Sequence, residues 1–202
     1  MLRTLTKAAA VSTLLVLGAG AAFVLWPLPS NLLERQGLVS LQLTDRTGAT
    51  LRELRSREDG RSLPLPPGEL PARLRQAFVA AEDARFESHP GVDPFAIARA
   101  AVQNLRAGRI ESGASTLTMQ LARRLRPRPR SLLGKAGEAL WALRLTLHLP
   151  RERILREYLD RVPLGSSAIG VEAAAQLYFA RPASRLSTGQ AALAFAHQEY
   201  DD

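Results

Sequence analysis

The N-terminal part of the chain contains an unbroken run of 19 uncharged, mostly apolar residues, from Ala8 to Trp26. At about 1.5 Å per residue, a helix of this length crosses roughly the hydrocarbon core of a bilayer. Arg3 and Lys7 precede the run, and positive flanks stay on the cytoplasmic side of a membrane. The run therefore predicts a transmembrane anchor at 8–26, with residues 1–7 in the cytoplasm and the rest of the chain outside.

A cleaved secretory signal peptide is the alternative interpretation of this run. The apolar region of a signal peptide is normally shorter, and no clear Ala-x-Ala site precedes the exit at Pro27 and Pro29. Trp26 also suits the outer interface of a bilayer, where tryptophan is enriched. We therefore expect an uncleaved, single-pass anchor.

The charge of the chain indicates an anionic partner. Its formal net charge of +8 comes almost entirely from arginine, because Lys7 and Lys135 are the only lysines. Such an excess is typical of proteins that bind nucleic acid, a membrane surface or a phosphorylated substrate. Nucleic acid is not expected for a domain exported behind an anchor. Cysteine is absent, which excludes disulfides and thiolate metal sites.

Apolar spacing divides the remainder of the chain into a connecting segment and a helical domain. Residues 27–64 predict a linker with a short hairpin, because 38–51 alternate loosely around a Thr47-Gly48 turn. The proline-rich run 63–68 marks a boundary. Beyond it, apolar residues recur at three-to-four spacing, which predicts a mainly α domain over 65–202. The expected helices are 71–85, 94–105, 117–125, 132–149, 152–160, 171–179 and 188–197, with Asp93 as the N-cap of the second.

The first segment with chemical potential is 82–93, which places acidic groups and a histidine at the C-terminal end of an otherwise apolar helix. A carboxylate there feels the negative end of the helix dipole, which raises its pKa. A glutamate such as Glu82 would then be a competent general base. An exposed, solvated helix end is the alternative interpretation.

Two further segments are basic or polar. The turn Gly113–Thr116 leads into a helix with small hydroxyl residues, which can offer N–H and O–H donors to an anion. Arg123, Arg124 and a run of alternating arginines to 130 follow. Lys135 and Glu138 then lie three apart on one helix face. Together they could form a diphosphate cradle; a capped helix, a solvated basic stretch and a surface ion pair are the alternatives.

These patterns together resemble a known family. The order E-D-x-x-F-x-x-H-x-G-x-D, G-x-S-T-L-T and K-x-x-E is similar to the motifs of the family 51 glycosyltransferases. That family forms the glycan-polymerising domain of class A penicillin-binding proteins and of monofunctional transglycosylases. Two later segments, 154–160 and 170–179, also resemble family signatures, and the resemblance covers about 65–194. Five ordered motifs are far more specific than one short match.

The resemblance implies roles for the matching positions. Glu82 corresponds to the general base that acts on the acceptor sugar hydroxyl, and Glu138 to a second acidic residue near the donor diphosphate. The basic positions that hold the diphosphate are Arg123, Arg130 and Lys135. The polar residues beside them are Ser115, Thr116, Thr118 and Gln120. The first motif assigns three more residues to substrate binding, namely Asp83, Phe86 and His89.

The resemblance also implies a fold and a reaction. The expected fold is a lysozyme-like helical lobe with a small jaw subdomain that grips the lipid. The expected reaction polymerises lipid II into β-1,4 glycan strands with inversion and release of undecaprenyl diphosphate. The enzyme would lie on the periplasmic side of the bacterial inner membrane, with the growing glycan chain and cell-wall synthesis proteins as partners. No cofactor or metal site is required by the residues, although a divalent ion such as Mg²⁺ or Mn²⁺ could assist at the diphosphate.

The sequence departs from the family pattern at several positions. Gly134 replaces the Arg of R-K-x-x-E, and Met119 favours the 1C-type branch of penicillin-binding proteins. Ala180 replaces a Gly at a helix end, which predicts strain there. The chain stops where family members continue, so a C-terminally truncated domain is expected. A non-catalytic protein that binds lipid II or the cell wall, and a muramidase suggested by the expected fold, are the alternative functions.

Overall fold

A computed structural model describes residues 2–35, 39–48, 50–56, 60–109 and 113–196. Its described helices and strands confirm the predicted mainly α architecture. Two expected boundaries, the start of the hairpin at Leu38 and the end of the last helix at His197, lie outside these ranges.

Helix α1 spans Leu2–Leu25 and is attached to the domain through α5, Leu132–His148. The guanidinium of Arg144 lies 4.6 Å from the Phe23 ring centroid and donates 2.9 Å from Nε to the Trp26 carbonyl oxygen. His148 Nε2 lies 3.2 Å from the Val24 carbonyl oxygen. These contacts satisfy carbonyls at the end of α1 that have no helical partner. Within the described ranges, no helix is sufficiently long and apolar to cross a membrane.

The predicted hairpin is present as two antiparallel strands. Strand β1, Leu41–Thr44, pairs with β2, Thr50–Leu54, and the register shifts between Leu43 and Thr44. Gly48 has φ +88°, a left-handed conformation that glycine adopts without strain, which explains the turn. The hairpin prediction is therefore confirmed for its described part.

A second, shorter pairing was not expected from the sequence. Strand β3, Arg61–Ser62, pairs in parallel with β4, Ala168–Ile169. Two-residue strands leave no readable alternation in a sequence, so only the tertiary structure reveals them. The pairing fixes the chain just before the proline-rich run against the glycine-containing loop that precedes α7.

Five further helices form one core with α5: α2 Ala72–Glu82, α4 Leu117–Leu125, α6 Arg151–Leu159, α7 Val171–Phe179 and α8 Thr188–Ala196. Helix α3, Pro94–Ala107, lies outside this core and buries only Ala100 of its own side chains. All residues from Leu117 to Ala122 are buried, so α4 lies inside the domain rather than on its surface. It packs against α5 and α6, while α2 packs against α8. A buried central helix holds its polar side chains in fixed positions, which matters for the site.

The helix boundaries show which local signals were reliable. Asp93 caps α3 as expected, accepting hydrogen bonds from the backbone N–H groups of Phe95 and Ala96, and the left-handed Gly108 follows its end. Helix α2 ends at Glu82, three residues before the predicted 85, because Asp83 has φ −157° and leaves the helical conformation. The prediction of a helix to 85 was therefore wrong, and Glu82 is its last residue.

Candidate active site

Glu82 is held at the C-terminal end of α2 by a relay of hydrogen bonds from the core. Gln120 Nε2 on α4 donates to Glu82 Oε2 over 2.5 Å. The hydroxyl of Tyr158 on α6 in turn donates to Gln120 Oε1 over 3.3 Å. Tyr158 is fully buried and Glu82 is half-buried. The carboxylate thus lies at the domain surface while its orientation is set from the interior.

Asp83 and His89, both buried, face each other next to this carboxylate. His89 Nε2 lies 2.9 and 3.0 Å from the two Asp83 oxygens, and the Gly91 N–H donates to His89 Nδ1 over 3.1 Å. Because Nδ1 accepts, Nε2 carries the proton and donates to Asp83. Asp83 also accepts from the Leu117 N–H over 3.1 Å. Asp83 therefore links the end of α2 to the first turn of α4 by a hydrogen bond.

Phe86, like Asp83 and His89, points into the domain. It is fully buried, and the Arg151 guanidinium lies 5.4 Å from its ring centroid. The same arginine donates to the His89 carbonyl oxygen over 2.5 Å. The predicted substrate-binding role of these three residues remains a prediction. Their observed contacts hold the segment that carries Glu82.

The polar turn before α4 divides into internal and outward-facing residues. Thr116 caps α4, accepting from the Met119 N–H over 3.1 Å and donating to the Gly91 carbonyl oxygen over 2.6 Å. Thr118 is fully buried, and its hydroxyl has no hydrogen-bond partner within the described part of the chain. Ser115 instead accepts a hydrogen bond from Lys135 Nζ. Ser115 is thus the hydroxyl of this turn that contacts the basic group.

Lys135, Glu138 and Arg123 form a second charged cluster between α4 and α5. Lys135 Nζ lies 3.1 Å from Glu138 Oε2, so the two residues form the ion pair that was the alternative interpretation of their spacing. Their predicted role at the diphosphate remains a prediction. Arg123 Nε lies 3.8 Å from Glu138 Oε1. The Glu138 side chain is only 9% exposed, whereas those of Lys135 and Arg123 are 44% and 36% exposed. One buried carboxylate therefore orients two cations that remain accessible to a ligand.

Arg123 and Arg130 share a pocket of about 520 Å³ beside this cluster. Four more arginines line it, and the family motifs assigned none of them to the diphosphate: Arg35, Arg124, Arg128 and Arg161. Arg35 lies in the segment predicted as a linker, and no local pattern marked it. It reaches the domain through an ion pair with Asp160. Glu82 and Lys135 are not among the residues that line the pocket.

Gly134 departs from the family motif for a steric reason. The Pro129 carbonyl oxygen occupies the space that a Cβ on Gly134 would need. No side chain of any length fits there while the 126–130 loop lies on α5. Position 134 therefore has no space for the arginine of the family pattern.

The fold and the site define a class of protein. A helical domain that orients the Glu82 carboxylate from its core, and also presents accessible guanidinium and ammonium groups, suits the transfer of a group from an anionic leaving group. The family model named Transglycosylase matches residues 47–199, and the chain belongs to this family. The predicted family membership is confirmed.

The chain is similar to penicillin-binding proteins of several bacteria. The chain is 38% identical to penicillin-binding protein 1C of Escherichia coli over 92% of its length, and 34% identical to penicillin-binding protein 1A of the same bacterium over 89%. It is 48% identical to penicillin-binding protein 1A of Aquifex aeolicus over 62% of its length. The chain covers 24%, 22% and 17% of these three proteins respectively, so it spans less than a quarter of each relative.

Proposed function

We propose that this chain is a peptidoglycan glycosyltransferase that polymerises lipid II into β-1,4-linked glycan strands. The observation that carries the proposal is the path of contacts that joins the two carboxylates across α4. Glu82 meets Gln120 at 2.5 Å, and Arg123, three residues further along the same helix, meets Glu138 at 3.8 Å. Glu82 on α2 and Glu138 on α5 thus contact residues of α4 that are three positions apart.

In the proposed reaction Glu82 removes the proton from the acceptor sugar hydroxyl as that oxygen attacks the anomeric carbon of the donor. The new glycosidic C–O bond forms as the bond from the anomeric carbon to the diphosphate oxygen breaks. Direct displacement from the opposite face inverts the anomeric centre. The leaving undecaprenyl diphosphate takes the bonding electron pair, and Arg123, Arg130 and Lys135 stabilise its charge.

The charge of the leaving group is offset by side chains in this proposal. Glu138 pairs with Lys135 and Arg123 and orients both cations. We assign the stabilisation of the leaving diphosphate to these two cations and to Arg130. Among the described residues, no three carboxylate or imidazole side chains form a metal-binding group.

The membrane placement is a further part of the proposal. The substrate carries a polyprenyl chain, and exposed apolar side chains cover much of α1, among them Leu14, Leu15 and Val16. We propose that α1 anchors the domain to the outer face of the bacterial inner membrane. An epitope at either end of the chain, probed by protease in spheroplasts, tests this topology. Accessibility of the N-terminal epitope alone would contradict it.

Helix α3 supports the proposed jaw beside a lysozyme-like lobe. Phe95, Val102 and Leu105 on this helix are exposed, as are Leu132 and Leu133 at the start of α5. Exposed apolar side chains in such numbers mark contact with an apolar partner. We propose that they hold the lipid chain of the substrate at the membrane surface.

The decisive experiment incubates the full chain with lipid II in detergent micelles and follows glycan strands by gel electrophoresis. We expect polymer from the wild type and a loss of rate of at least about 10³-fold in Glu82→Gln, within the range for removal of a general base. Glu87→Gln is the matched control, because Glu87 is exposed and its partner among the described residues is the equally exposed Arg75. Folded wild-type protein that binds lipid II without forming polymer would favour the non-catalytic alternative.

A further inference from the structure

Two glycines on α5 allow the arginine-rich loop 126–130 to lie directly against the helix. A Cβ on Gly134 would overlap the Pro129 carbonyl oxygen, and a Cβ on Gly137 would lie 2.7 Å from Nη1 and 3.0 Å from Cζ of Arg128. Both distances are shorter than ordinary van der Waals contact. By contrast, Gly189 in α8 has no atom within 4 Å of such a Cβ. Position 134 therefore needs glycine, because the clashing atom belongs to the backbone of the loop. At Gly137 the Arg128 side chain would have to move aside, and Gly189 carries no such restriction.

The alternating arginines of this loop have different surroundings. Arg126 lies with its guanidinium carbon 5.8 Å from the Trp141 ring centroid and does not line the 520 Å³ pocket. Arg128 lies over Gly137 and does line it. Across the pocket, Arg35 and Arg161 are paired with Asp160 and Glu157 respectively. Within residues 113–196, Arg128 has no carboxylate partner.

The pocket has the composition of a site for a phosphate group on an apolar carrier. Six guanidinium groups line it against two carboxylates, those of Glu34 and Asp160. Apolar side chains complete the wall, including Leu32 and Leu125. A planar guanidinium binds phosphate through two parallel N–H···O bonds, and a free one does so without first breaking an ion pair.

We propose that Arg128, seated on Gly134 and Gly137, is a diphosphate-binding residue of this pocket and sets its affinity. The natural ligand, the diphosphate of a lipid-linked sugar, rests on the proposed function. The anion site itself rests only on the geometry of the loop and the pocket. Binding and polymerisation can therefore be tested separately.

The direct test measures inorganic pyrophosphate binding to the full chain by isothermal titration calorimetry. Arg128→Ala should raise the Kd about tenfold, as expected for the loss of a charge-assisted hydrogen bond. Arg126→Ala removes the same charge two residues away and should change the Kd less than about twofold, because it leaves the pocket lining intact. An unchanged Kd in Arg128→Ala, or an equal loss in both variants, would overturn the proposal.

A second experiment tests the packing of the loop against Gly134. Gly134→Ala should displace the loop and weaken pyrophosphate binding about as much as Arg128→Ala, whereas Gly189→Ala should leave binding unchanged. Arg128→Lys provides a check that does not disturb the backbone, since it keeps the charge and removes the planar fork. It should give a smaller but measurable loss, and binding identical to wild type would contradict the proposed role.

Two controls complete the test. The first asks whether the bound phosphate belongs to a phospholipid headgroup, and the second distinguishes failure of the anion site from failure of the proposed function. Co-sedimentation with phosphatidylglycerol vesicles, compared with phosphatidylcholine vesicles, tests a phospholipid headgroup as the ligand. If Arg128→Ala weakened vesicle binding and left pyrophosphate binding intact, the diphosphate assignment would be overturned. Glu82→Gln should bind pyrophosphate normally. Wild-type protein that binds pyrophosphate through Arg128 and makes no glycan would refute the transferase while supporting the anion site.

Discussion

The carboxylate end of the site and its basic end are built in different ways. At the carboxylate end, Glu82 is oriented by Gln120, which in turn is held by the fully buried Tyr158. At the basic end, Arg128 and Arg130 lie exposed on a loop that packs against α5. The first end is fixed by hydrogen bonds to the core, and the second by backbone packing that leaves its charges in solvent.

The difference agrees with the roles that we propose for the two ends. A general base must lie within hydrogen-bond reach of one proton, so its position has to be set to within a fraction of an ångström. A guanidinium attracts a diphosphate over a longer range and can adjust as the ligand arrives. We infer that rigidity is concentrated at Glu82, while the arginines keep the freedom to exchange water for an anion.

The largest expected effect is on stability at the carboxylate end. Asp83→Ala should lower the free energy of unfolding by about 3 kcal/mol, because the His89 Nε2–H and Leu117 N–H groups would be buried without acceptors. Arg128→Ala, at the basic end, should change it by no more than about 0.5 kcal/mol, because Arg128 is an exposed surface residue. Urea unfolding followed by circular dichroism measures both. Equal losses would show that the two ends are equally rigid.

An intermediate effect concerns pH at Asp93, in the same motif as Glu82. The Arg85 guanidinium, and then the N–H groups of Ala96 and Phe95, hold the pKa of Asp93 at about 2, below its ordinary 3.8. Because the folded pKa is lower, the stabilisation is complete above the ordinary value and disappears as pH falls through 3.8 towards 2. Asp93→Asn keeps a capping oxygen but cannot ionise.

Thermal unfolding between pH 5 and about 2 tests this expectation. The wild type should be more stable than Asp93→Asn near pH 5, and the two melting temperatures should converge near the acid end of the range. Other carboxylates titrate in both proteins, so the difference between the curves isolates Asp93. Parallel curves would mean that its ion pair with Arg85 contributes nothing.

The smallest expected effect lies at neither end of the site. Ala180 follows α7 with φ +50° and ψ 39°, the left-handed conformation that the departure from the family's Gly predicted. Ala180→Gly should stabilise the protein by roughly 0.5–1 kcal/mol by removing the Cβ penalty. Gly108→Ala, at the left-handed end of α3, should destabilise it by a similar amount. Neither change should alter pyrophosphate binding, and an altered Kd would link the helix ends to the site.

Local signals in the sequence predicted most of the helices and the identity of the family. The spacing of apolar residues placed α4 at 117–125 and α7 at 171–179, and Asp93 marked the start of α3. Such signals depend on residues three or four apart, which a helix brings together by its own geometry. The order of five motifs then identified the transglycosylase family, which the family model confirms over 47–199.

Only the tertiary structure decided which of the motif residues face the site. Gln120 reaches Glu82 across 38 residues, and Arg35 reaches Asp160 across 125. The sequence predicted that Asp83 and His89 bind substrate beside the base Glu82, whereas the fold buries Asp83 and His89 and leaves Glu82 half-buried. A sequence encodes the period and the ends of its helices locally. The direction of each side chain depends on packing between distant segments, and no local pattern contains that information.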